Sequence, residues 1–341
     1  MELEQKTLRV GALAVACAIV CRLLAGGLPD RILEFFSRPE TVAFILYLET
    51  GRVVKPAEVS LFVESPLPTE ESVLATLPPA TLPAKPVQSP AVFFPEDADT
   101  VTVGNIAGYN VDIDALLRKP LSWDLKTGEP TVLILHSHGS ECYTEQALAA
   151  ENYRTEDPRY NVVSVGAELK QLLEAAGIGV IHDTALHDQP SYNSAYGNAR
   201  EATEAALARY PSIRLILDIH RDAAEDAGGR QIEKTVSVAG EDVAQLMLVV
   251  GTDAGGLTHP NWEENMALAV KLHAQLEKTV SGICRPISFR TQRFNQDLSP
   301  GALIVEVGAA GNTRQEALRA IKHLAQAVID LAKGTTAGST S

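Results

Sequence analysis

Short apolar runs alternate along this chain with longer segments of helical periodicity. Thr131–Leu135 is five apolar or β-branched residues in a row, the pattern of a strand buried on both faces. Ile178–His182, Ile213–Ile219 and Ala302–Val307 read the same way. Val101–Val103 reads as a small opening strand, and Ile232–Val238 and Gln245–Val250 as an extension of the sheet. Val162, Val165, Leu169, Leu172 and Leu173 recur at helical spacing over Val162–Ala176, and Gly177 ends that helix. Asn193–Tyr210 reads as an Ala-rich helix and Asn261–Val280 as a long one. Thr313-Arg-Gln-Glu316 is a capping box opening a last helix that runs to about Leu331. Strands alternating with helices predict an α/β fold, a mostly parallel twisted sheet flanked by helices.

The same patterning divides the chain into domains. Val10–Cys21 carries no charge and Leu23–Leu28 continues it beyond Arg22. Together they supply the roughly 20 residues of a membrane span, with Arg22 snorkelling to an interface. Residues 1–30 therefore read as an uncleaved single-pass transmembrane anchor. Lys6 and Arg9 favour a cytoplasmic N-terminus, with the bulk of the chain held at the cell membrane outside the cytoplasm. A cleaved signal peptide competes, although no clear A-x-A site is present, and so does a buried soluble helix. Eight prolines from Pro66 to Pro95 make residues 31–98 an extended tether. The folded domain is expected at residues 99–334, with a polar disordered tail at 335–341.

Composition narrows the partners. A net charge of −14 without a long basic run argues against nucleic acid. The four cysteines include no CxxC pair, which disfavours a cysteine zinc knuckle, and a Cys142–Cys284 bridge stays open.

The chemistry sits where the apolar runs stop. Ligands of open α/β sheets bind beyond the carboxyl ends of the strands. Thr131–Leu135 is followed by His136-Ser-His138-Gly-Ser-Glu141, the next core strand carries Asp218-Ile-His220-Arg221-Asp222, and the last holds Glu306. Two histidines and a carboxylate suit a catalytic zinc ion, so His138, Glu141 and His220 are the candidate ligands. Glu306, a carboxylate in a strongly apolar strand, is the candidate base for the attacking water. The competing reading gives Glu306 a buried ion pair with Arg221 or Arg293. His136 is a candidate ligand or a hydrogen-bond donor to the reacting carbonyl, and Asp218 a candidate to orient a ligand histidine. His182 and His187 are weaker candidates, and His259, His273 and His323 read as solvated. His220-Arg-Asp222 matches a kinase tripeptide, but no Gly-rich loop, strand lysine or DFG accompanies it. No G-x-S-x-G elbow supports a serine nucleophile.

These residues together resemble a known family. Leu135-His-Ser-His-Gly-Ser-Glu-Cys-Tyr143 resembles the H-[ST]-H-x-[ST]-E-[SA]-[YF] element of stage II sporulation protein P. Ile181–Asp183 with Pro190–Asn193, Asp218–Ala223, Phe294–Pro300, and Val305–Gly308 with Asn312-Thr313 are similar to its further elements, in order. The resemblance spans roughly Thr131–Leu331 and departs at Cys142, where Ser or Ala is usual. It implies a fold like that of zinc N-acetylmuramoyl-L-alanine amidases and a peptidoglycan hydrolase of endospore engulfment. It implies cleavage of the glycan–peptide amide and of peptide cross-links, with stage II sporulation proteins D and M as partners. It assigns zinc to His138, Glu141 and His220, with Glu145 or Glu151 as replacements for Glu141. Catalysis falls to Glu306 and His136, and supporting or substrate-binding roles to Asp218, Arg221, Asp222, Asn295, Gln296 and Asp297. The alternatives are a catalytically silent wall-binding scaffold that activates a partner hydrolase, and a zinc carboxypeptidase of another fold.

Overall fold

The computed structural model describes residues 95–121, 124–144 and 151–333. The expected anchor, all but the end of the tether, and the tail lie outside the described residues. Among the described residues no helix is long and apolar enough to cross a membrane. The strands are β1 (Val103–Asn105), β2 (Pro130–Leu135), β3 (Gly179–His182), β4 (Leu215–Asp222), β5 (Thr235–Val238), β6 (Glu241–Ala244), β7 (Leu246–Val250), β8 (Ile287–Phe289) and β9 (Ala302–Ala309). The helices are α1 (Ile113–Arg118), α2 (Val162–Ala175), α3 (Ala195–Arg209), α4 (Trp262–Thr279) and α5 (Arg314–Lys333).

Seven strands form one sheet in the order β1-β8-β7-β9-β4-β2-β3. Every pairing is parallel except β7 with β9. The central strands are apolar because both of their faces are covered: Thr131–Leu135 and Leu215–Arg221 are buried throughout. The chain steps from β2 to β3 in one direction and from β3 past β2 to β4 in the other. Right-handed crossovers then put α2 and α3 on opposite faces. That reversal opens a crevice at the carboxyl ends of β2 and β4. Register completes the arrangement, pairing Leu135 with Asp218 and His220 with Glu306.

The helix signals hold at atomic level. Asn161 caps α2 by accepting from Val163 N–H at 3.0 Å. Thr313 Oγ1 accepts from Glu316 N–H, and the Glu316 carboxylate accepts from Thr313 N–H, the reciprocal pair of a capping box. The expected strand at Ile232–Val238 shortens to β5 and pairs with β6 outside the main sheet. Ala239 and Gly240 turn that hairpin with both φ positive, a conformation that an alanine does not advertise. The short α1, β6 and β8 carry too few residues to show a period. His259 and His273 are each only 1% exposed, so they are buried and not solvated. For His273 the reason is that α4 is covered almost all round, with eleven buried residues that include it; His259 lies in the loop before α4.

Lys271, on the same helix, is also buried, and its ammonium donates to the Leu117 carbonyl. Burial lowers its pKa from 10.5 to about 8. The unfolded chain keeps this proton to higher pH than the folded one. The contribution of Lys271 to stability therefore rises as pH climbs from about 8 to about 10.5. Lys271→Met should flatten this part of the thermal-midpoint profile relative to wild type. Parallel profiles over that window would contradict it.

Candidate metal centre

The turn after β2 builds the first half of the site. Glu141 N–H donates to His138 O at 3.1 Å, which closes His138–Glu141 into a tight turn. Gly139 fits there because a Cβ would meet Leu186 Cδ2 at 2.9 Å. Asp188 fixes the turn by accepting from Ser140 N–H at 3.2 Å and from Ser140 Oγ at 2.5 Å. Arg221 locks the carboxylate beyond it. Its N–H donates to Glu141 Oε2 at 3.2 Å, and its guanidinium donates to the Cys142 and Tyr153 carbonyls at 3.1 and 2.8 Å. β4 delivers the second half, His220, from the neighbouring strand end.

His138 Nδ1 lies 3.8 Å from Glu141 Oε1, and His220 Nδ1 lies 3.4 Å from Glu141 Oε2. One donor atom from each of the three residues lies within 4.8 Å of the others. Donors around a tetrahedral zinc sit roughly 3.4 Å apart, so a small contraction would close the trio on an ion. Asp218 stands behind His220 with Oδ1 2.9 Å from Nε2, without hydrogen-bond alignment. Asp218 is held by the N–H and hydroxyl of Ser137 at 2.8 and 2.5 Å.

The electrostatics ask for a cation. Burial would push Glu141 up, but Arg221, His220 and His138 outweigh it and hold the carboxylate down at about 2. Burial acts the same way on Asp218, and His220 and Ser137 bring it to about 2. His220, buried between these two carboxylates, is raised well above its ordinary value. The two carboxylates thus favour positive charge at the place where a metal ion would put its own. Burial, with His220 adding, lowers His138 to about 4, which keeps that ring neutral and ready to ligate.

Glu306 faces this cluster from β9. Its Oε2 is shut from solvent and has no hydrogen-bond partner. Burial pushes its pKa up to about 8 against the pull of His220, with Glu141 and Asp222 adding to the rise. The expected ion-pair alternatives do not form. Arg221 is committed to Glu141 and backbone carbonyls, and Arg293 Nε sits 3.1 Å from Asp297.

Other sequence candidates lie apart from the trio. His136 Nδ1 is 2.9 Å from Ile219 O and its Nε2 is 2.8 Å from His182 Nε2, so its ring is engaged away from the ligands. His187 pairs with Asp183 at 2.8 Å. Asp222 pairs with Arg285 at 2.6 Å. Gln296 accepts from Gly251 N–H and donates to Val249 O, and Asp297 holds Arg200 through two contacts near 3 Å. Asn295 donates to Tyr196 O. These three brace the loop after β8. Cys142 and Cys284 are free thiols. Glu145 and the side chain of Glu151 lie outside the described residues.

The family model of stage II sporulation protein P matches residues 87–329, more than two thirds of the chain. The chain belongs to the stage II sporulation protein P family. Stage II sporulation protein P of Bacillus subtilis (strain 168) is 29% identical over 213 residues, covering 57% of this chain and 49% of that protein. The match thus spans about half the length of this relative. Among solved structures, the N-acetylmuramoyl-L-alanine amidase AmiC2 of Nostoc punctiforme is 14% identical over 60% of this chain and 97% of that one, with a TM-score of 0.38. The catalytic domain of the amidase CwlV from Bacillus (Paenibacillus) polymyxa var. colistinus is 10% identical over 60% and 99%, with a TM-score of 0.39.

Three further residues reach the site. Tyr192, inside the Pro190–Asn193 element but not singled out there, stacks on the His138 ring at 4.3 Å. Tyr196 meets that ring edge-on at 5.3 Å, and Arg154 lies over Tyr192 at 4.4 Å. Tyr196 and Arg154 come from a helix start and a loop, where no strand end announces chemistry.

Two outcomes follow from this geometry. Asp218→Asn should weaken zinc binding roughly 10- to 100-fold, as removal of a carboxylate that orients a ligand histidine does. Unchanged zinc affinity in a competition titration would contradict that role. Gly166→Ala, ordinarily favourable in a helix by up to about 1 kcal/mol, should instead destabilise by about 1–3 kcal/mol. The added Cβ would meet the His136 and His182 rings at 2.7–2.8 Å, and a denaturant midpoint at or above wild type would refute that packing.

Proposed function

We propose that this protein is a zinc-dependent N-acetylmuramoyl-L-alanine amidase acting on peptidoglycan during endospore formation. One observation carries the reading: His138, Glu141 and His220 offer three ligand atoms within 4.8 Å, beside a half-buried Glu306 whose Oε2 is shut from solvent and has no hydrogen-bond partner. Family membership supplies the sporulation context. A zinc ion at the trio would supply a Lewis acid for the scissile carbonyl and acidify an attacking water.

The chain's own residues do the rest. Arg221 and Asp188 fix Glu141 and its turn, so little reorganisation is needed on binding. Asp218 Oδ1, 2.9 Å from His220 Nε2, stands where it would orient the ring of a liganding His220. Glu306, unpaired and poised near neutrality, takes the proton of the attacking water and delivers one to the leaving amine. His136 supports β4 through the Ile219 carbonyl; the proposed chemistry gives it no contact with substrate.

The remaining parts of the proposal concern context. The enzyme works in engulfment at the cell membrane, held by residues 1–30 with the domain extracytoplasmic, and acts with stage II sporulation proteins D and M. Cleavage of stem-peptide cross-links is proposed as the same amide hydrolysis on a second bond.

Mass spectrometry of purified peptidoglycan treated with the zinc-loaded protein tests this reading. Release of intact stem peptides from glycan, abolished by chelator, is expected; monomers from cross-linked dimers would add the endopeptidase activity. No release with zinc supplied, alone or with protein D, would overturn the amidase and favour a silent scaffold. Glu306→Gln should keep zinc and lower kcat by roughly 100-fold or more. A variant of wild-type kcat would remove Glu306 from the mechanism.

A further inference from the structure

Arg154 stands beside the trio without belonging to it. Its Nη1 donates to Asp188 Oδ2 at 3.0 Å and Ser140 Oγ at 3.3 Å. Its guanidinium lies over Tyr192, the ring that also stacks on His138. Nη2 reaches to 3.8 Å of Glu141 Oε1, too far for a hydrogen bond. Among the described residues neither Nη2 nor Nε makes one. The side chain is 29% exposed, whereas Asp188, which holds it, is 1% exposed. A guanidinium with a fixed orientation and two spare donors is therefore presented at the edge of the cluster.

The other arginines nearby are spent. Arg221 is buried on Glu141 and two backbone carbonyls, and Arg200 and Arg293 are bound to Asp297. Glu141 and Asp218 are answered by Arg221 and His220, so Arg154 is the guanidinium left with free donors at the edge of the trio. A carboxylate on the substrate that lies beyond the trio's reach would find its partner there. Peptidoglycan stem peptides carry such a charge: the second residue, D-glutamate linked through its γ-carboxyl, leaves an α-carboxylate a few bonds from the muramoyl amide.

We propose that Arg154 is an anion subsite that binds this stem-peptide carboxylate and so registers the muramoyl amide over His138, Glu141 and His220. The proposal rests on the amidase reading above and deepens it by naming the substrate feature recognised. Arg suits the role because its planar fork can give two donors to one carboxylate, and stacking on Tyr192 limits the entropy lost on binding.

The test compares two muropeptides that differ only at the second residue, free α-carboxylate against its amide, using the full zinc-loaded protein. Wild type should favour the carboxylate roughly 10- to 100-fold in kcat/KM, as a charge-assisted hydrogen bond predicts, chiefly through KM. Arg154→Gln should bring the ratio to about 1, and Arg154→Lys should restore part of it. A purely structural role would lower both substrates alike and leave the ratio unchanged. Equal wild-type cleavage of the two substrates overturns the subsite by itself, whether or not the variants fold. Cleavage of neither refutes the amidase reading, and with it this one.

Discussion

The parallel register across β2, β4 and β9 is the constraint on which the site depends. It pairs Leu135 with Asp218 and His220 with Glu306, so three strand ends deliver their polar groups to one crevice. A shift of one residue would turn each of these side chains to the opposite face. Apolar side chains hold the register: Ile134, Leu217, Ile219, Val305 and Val307 are all fully buried. Each contributes about 1.5–3 kcal/mol of burial. The sheet thus bears the cost of bringing buried carboxylates and histidines together.

That crowding explains the protonation pattern. Glu141 and Asp218 stay ionised because Arg221 and His220 face them, and Glu306, without a cation of its own, is pushed towards neutrality. One arrangement therefore gives three acidic residues three different environments, those of a candidate ligand, a candidate ring-orienting carboxylate and a candidate base. The separation follows from their neighbours, not from their residue type.

Much of this was legible in the sequence. The runs ending at Leu135, Ile219 and Val307 carried the strands, and polar groups inside or just past an apolar run have few explanations other than a site. The capping box at Thr313 and the glycine at Gly177 marked helix boundaries, whereas the Asn161 cap emerged only in the structure. What stayed hidden was tertiary. His136, open in the sequence as a ligand or a carbonyl hydrogen-bond donor, has its ring against His182 beneath Gly166. His273 looked like a helix-surface histidine, but α4 is packed on nearly every side. Asn295–Asp297 carried family signal, and in the structure their side chains brace the loop after β8. Arg154, Tyr192 and Asp188 reach the site only because the loops after β2 and β3 meet there, a contact that no local periodicity records.

Zinc K-edge X-ray absorption of the purified protein tests the central claim most directly, because it reads the donors and not the outcome of a reaction. The account predicts one tightly bound zinc, four-coordinate, with two imidazole nitrogens at about 2.0–2.1 Å and oxygen donors completing the shell. The spectrum should lose one imidazole in His220→Ala. A sulfur scatterer, which would bring in Cys142, or a shell without two imidazoles would contradict it.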